Sequence, residues 1–85
     1  MMSAPTDSTY YQFLHFAHQG TWNGHHAWKC RNNRSKQLLG EVSWEEEWNQ
    51  YVLVTDTRDQ IVFSVGCLRD IADFVAKANR GEVTP

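Results

Sequence analysis

An α+β fold, with an antiparallel meander of four to five strands followed by one C-terminal helix packed on one face, is what this 85-residue sequence predicts. Three observations carry it. The stretch Leu38 to Val54, LLGEVSWEEEWNQYVLV, reads as two antiparallel strands joined at an acidic turn: Leu38, Val42 and Trp44 share one face across a gap at Gly40, while Leu39, Glu41 and Ser43 take the other. On its N-terminal side, clusters of turn-forming residues separate two further strand-like runs. Near the C-terminus a single segment places apolar residues three and four apart, with a serine before it and a glycine after it.

Taken in order, residues 1–9 are small and polar with Pro5, and a flexible N-terminus is expected. The domain proper is expected over 10–81. Tyr10 to Ala17 forms a first strand with Phe13 and Tyr11 inward, and His18 to His26, holding Gly20, Asn23 and Gly24, forms a loop. The second strand runs from His26 to Arg31, with Trp28 and Cys30 in the core and Lys29 and Arg31 towards solvent. NNRSK, residues 32–36, is a hairpin loop into the third strand. The acidic turn near Glu45 to Glu47 leads to a fourth strand from Trp48 to Thr55. Trp48, Val52 and Val54 fall on one of its faces and Tyr51 and Leu53 on the other, a two-sided apolarity that predicts a central strand. A polar loop follows at 56–60, then a short fifth strand, Ile61 to Phe63. Ser64 caps a helix from Val65 to Asn79 whose core stripe is Leu68, Ile71, Ala72, Val75 and Ala78, flanked by Cys67 and Phe74. Asp73 and Lys77 form an i,i+4 ion pair, Gly81 stops the helix, and 82–85 is a tail. One sheet face is left for Tyr51, Leu53 and Leu39, to be covered by the N-terminal segment, a second subunit or a ligand.

Composition bounds the rest. Eighty-five residues make one domain with a modest core, and four Trp, four Phe and three Tyr must supply much of it. A net charge of −2 argues against a protein that coats DNA and against a DNA mimic, yet the charges are segregated. Lys29, Arg31, Arg34 and Lys36 precede Glu41, Glu45, Glu46 and Glu47, so one end of the sheet is basic and the other acidic. Cys30 and Cys67 show no paired spacing and are expected as buried thiols. The opening residues lack the pattern of a signal peptide and no apolar run reaches membrane-spanning length, so a cytoplasmic protein is expected, with no membrane partner.

Catalytic and metal chemistry find little support. His15, His18, His25, His26 and Cys30 lie close in sequence, but their spacing fits no zinc pattern, so no metal or other cofactor is predicted. Cys30 has basic neighbours in sequence that a strand turns to the opposite face, and no nucleophile with its base emerges. Neither an enzyme nor a small-molecule substrate is expected. Two binding roles remain. The first is a protein partner or self-association, with a homodimer expected, using Trp44, Trp48, Tyr51 and Leu53 as aromatic and apolar anchors beside the acidic turn. The alternative is a single-stranded nucleic-acid module in which Lys29, Arg31, Arg34 and Lys36 meet phosphates while Tyr51 and Trp22 stack on bases.

The run WKCRNNRS, then LGEVSW, then W-x-x-YVL, then VFS-x-x-CL-x-DIADF resembles a family of small uncharacterised proteins of bacteriophages and prophages, over roughly Phe13 to Asn79. The sequence departs from that pattern at Glu45 to Glu47 and in having an aliphatic Leu53. The resemblance implies a non-catalytic accessory protein of a mobile element in a bacterial host, and it transfers no catalytic residue.

Overall fold

A computed structural model of the chain describes residues 9–55 and 60–83. β1 (Leu14–Trp22), β2 (His25–Asn32), β3 (Leu38–Glu45) and β4 (Gln50–Thr55) form one antiparallel sheet in sequence order, and α1 (Val65–Asn79) packs on one face. This is the meander and C-terminal helix that the pattern predicts. The expectations for residues 1–8, 56–59 and 84–85 fall outside the described residues.

Local turn chemistry sets the register. Asn23 (φ 51°) and Gly24 (φ 81°) make a two-residue hairpin turn, since two successive positive φ values twist the chain as its strands twist. The strand before it is therefore longer than the composition suggests. β1 runs through His18–Trp22, where a loop is expected, by absorbing Gln19 as a bulge between His18 and Gly20. It also starts later than expected, at Leu14. Leu14 and Phe16 are the buried residues, whereas Phe13 is partly exposed. In the β2–β3 loop the Asn32 side chain accepts from the backbone N–H groups of Arg34 (2.8 Å) and Ser35 (2.9 Å). The β3–β4 turn spans Glu46 to Asn49 and ends on Asn49 at φ 54°. Trp48 thus sits in a turn rather than a strand and is 67% exposed.

The helix-covered face carries Phe16, Trp28, Cys30, Val42, Tyr51 and Leu53. Phe16 stacks on Phe74 of α1 (4.0 Å, 1°), and Trp28 meets Phe74 edge-on at 5.2 Å. A bulge at Leu39, between the pairs Cys30↔Gly40 and Arg31↔Leu38, turns Leu39 into this core and Leu38 away from it. Tyr51, Leu53 and Leu39 therefore lie under the helix and not on the open face, where Val52 and Val54 stand instead. β4 is an edge strand, correcting the central position that its two apolar sides suggest. Ile61 to Phe63 forms no strand, and Ile61 and Phe63 pack against the core as irregular chain.

The helix ends are as the sequence predicts. Ser64 Oγ accepts from Cys67 N–H (3.1 Å). Gly81, at φ 70°, donates to the Ala78 carbonyl, and Glu82 donates to that of Lys77, the paired bonds of a Schellman stop. Asp73 and Lys77 pair at 2.9 Å. The buried stripe is rotated from the expected one. Cys67, Ile71, Phe74 and Ala78 face the sheet, while Leu68 and Ala72 are exposed. The tail is not free at its start, because Val83 is buried in the core. At the last turn, Asn79 reaches the sheet edge: its Oδ1 accepts from Tyr51 N–H (2.6 Å) and its Nδ2 donates to Tyr51 C=O (3.1 Å).

Burial has a consequence for pH. Loss of solvation, with the nearby Cys67 and Asp70, pushes the Cys30 thiol from 9.0 up to about 12. Tyr11, partly buried and donating to Asp73 (2.6 Å), is likewise raised. Both groups keep in the native state a proton that the unfolded chain releases, so their contribution is complete at neutral pH and is lost as pH rises. The Tm should hold near neutrality and fall progressively above about pH 9. Cys30→Val should flatten the early part of that fall, and an unchanged slope in the variant would contradict this account.

Candidate functional site

The site arises where the sheet splits. β1 and β2 stay paired to Trp22↔His25, and β3 and β4 to Glu45↔Gln50, but pairing between β2 and β3 stops at Trp28↔Val42. The ends of the two hairpins therefore part, and the fork between them holds a cleft of about 440 Å³. Its walls include Trp22, His25 and Ala27 on one side and Glu41, Ser43, Trp44 and Glu46 on the other.

Aromatic contacts hold the fork open at a defined width. His25 stacks on Trp44 across it (4.0 Å, 12°), and Trp44 meets Tyr51 edge-on at 5.2 Å. The Tyr51 hydroxyl accepts from the backbone N–H of His26 (3.0 Å), a donor that β3 would satisfy if pairing continued. Tyr51 is thus a strut. Tyr51 is 8% exposed and offers no ring face for stacking, which corrects both binding roles expected of it.

The other expected residues divide between the ends of the sheet. Trp44 is half-buried in the cleft and Trp48 lies exposed in the adjoining turn. Leu53 packs against the core and is not a surface anchor. Trp22, placed with the nucleic-acid set by sequence, is 57% exposed and lines the fork. Arg34 and Lys36 are exposed in the β2–β3 loop at the far end of β2, roughly 20 Å of strand away. Arg31 donates to the Lys36 carbonyl (3.2 Å), bracing that loop. Lys29 stands opposite Glu41 on the open face. The basic residues therefore do not gather around an exposed ring of the kind expected. His25, Glu41 and Ser43 were not anticipated at a site. The Asn23–Gly24 pair was the available signal, since a two-residue turn there places Trp22 opposite His25.

Cys30 and Cys67 are buried free thiols, as expected. Among the described residues, no group of three or more His, Cys, Asp and Glu side chains is placed to hold a metal ion, and no helix is long and apolar enough to cross a membrane. No protein-family model, curated protein or solved structure matches this chain.

Proposed function

We propose that the chain is a non-catalytic binding protein that docks a protein partner at the fork between its hairpins. The observation that carries this reading is the composition of that end of the sheet: Trp22 and Trp48 are exposed and Trp44 lines the cleft, among Glu41, Glu45, Glu46 and Glu47. Large rings inside a polar rim are the usual anchors of protein interfaces. The carboxylates favour a partner with a basic surface. A second copy would bring the same carboxylates to the same place, so a heterologous partner suits the fork better than the homodimer that the sequence suggests. The resemblance to small phage and prophage proteins supports an accessory role in a mobile element, acting in the bacterial cytoplasm.

Nucleic-acid binding is the reading to exclude, and intrinsic Trp fluorescence separates the two. A lysine- and arginine-rich peptide should quench saturably, and single-stranded oligonucleotides should give a flat response even at low salt. Trp48→Ala should leave the fold intact, because the ring is exposed, and should weaken the peptide by roughly 30-fold, the effect of losing an interface hot spot. Saturable, salt-sensitive quenching by oligonucleotides that Arg31→Ala removes would replace the proposal with the nucleic-acid role.

A further inference from the structure

We infer that His18 and His26 form a chelating site for a divalent transition-metal ion, independent of the partner-binding reading. The β1 bulge leaves the two residues on neighbouring strands, in the pairs His18↔Trp28 and Thr21↔His26. His18 Nε2 and His26 Nδ1 lie 3.1 Å apart, and Thr21 Oγ1 is 3.3 Å from the same His26 nitrogen. Metal–imidazole bonds of about 2.0–2.1 Å, at ligand angles of about 90–110°, hold two nitrogens about 2.9–3.4 Å apart. The observed separation falls inside that range. The two nitrogens face each other across one hydrogen bond, and a cation that takes its place gains both lone pairs together.

The donor set defines the ion. Two imidazoles suit copper(II), nickel(II) and zinc(II) and disfavour calcium and magnesium, which prefer oxygen-rich shells. Copper(II) should bind most tightly of the three. His18 is exposed, so water can complete the coordination. The other histidines and Cys30 do not join the pair in the fold. His15 stacks on Tyr10 (3.7 Å), His25 on Trp44, and Cys30 is enclosed in the core. Only His18 and His26, among the described histidines, meet nitrogen to nitrogen.

Both imidazole rings lie near Trp28, with centroids 5.9 Å and 5.6 Å away, so bound copper(II) should quench that indole. The experiment is a titration of the full chain with copper(II) and then zinc(II), followed by calorimetry and Trp fluorescence. Wild type should take up one ion. His18→Gln, which keeps a hydrogen-bonding side chain at an exposed position, should lower the affinity by more than the roughly tenfold that losing even a supporting residue costs a metal site. His15→Ala should bind as wild type does, with circular dichroism confirming that both variants are folded. Equal affinities for wild type and His18→Gln would overturn the inference, as would an equal loss in His15→Ala.

Discussion

Phe74→Ala should lower the unfolding free energy by about 3–5 kcal/mol. The ring is fully buried, stacks on Phe16 at 4.0 Å and meets Trp28 and Tyr11 edge-on, at 5.2 Å and 6.4 Å. It is thus the point at which the helix grips β1, β2 and the segment before β1, and no neighbouring side chain can collapse into its place without leaving its own contacts. A chain of this length has roughly 4–13 kcal/mol of stability in all, so this one ring accounts for a large share of it. Urea denaturation monitored by far-UV circular dichroism measures the loss, and Phe74→Leu should retain most of the stability. A shift below about 1 kcal/mol for the alanine variant would show that the helix is held chiefly elsewhere.

Gly40→Ala should also destabilise, by about 1–3 kcal/mol or more. The alternation along β3 presents Gly40 merely as a gap in an apolar face, and at such a gap alanine would be neutral or slightly favourable. In the folded sheet a methyl group there would run into the Val54 carbonyl oxygen and lie 3.1 Å from Thr55 Cα. Both obstacles are backbone, so no side chain can swing aside, and β4 would have to move away from β3. Amide exchange should quicken in β4 while the β1–β2 hairpin keeps its protection. Unchanged exchange with unchanged stability would mean that the strands accommodate the methyl group where they stand.

Those two cases mark what can be read from the chain and what cannot. The helix was legible at both ends because its signals are local: Ser64 bonds to a group three residues away, and Gly81 takes a conformation that side chains disfavour. The class of fold was legible for the same reason. Trp48 was misplaced because alternation continues through a turn as readily as through a strand, and only the positive φ of Asn49 shows where β4 begins. The apolar sides of β4 suggested a central strand, yet Tyr51 and Leu53 are covered by the helix and Val54 is exposed. Nor could the candidate site be located from periodicity. Its cleft depends on where β2 and β3 cease to pair, a relation between distant segments, whereas its two margins carry local signals, Asn23–Gly24 on one side and the acidic turn with Trp44 and Trp48 on the other.

The bonds from Asn79 to Tyr51 bear on how the protein behaves in a crowded solution. Gln50 to Thr55 contains neither a charge nor a proline, the usual deterrents against a foreign strand adding to an exposed margin. Asn79 stands in for them, since its carboxamide presents an acceptor and a donor to Tyr51 as another polypeptide would. The last turn of the helix therefore occupies part of that margin as well as covering the core. A chain whose helix frays at that end should associate before it unfolds, with light scattering rising ahead of the loss of circular dichroism.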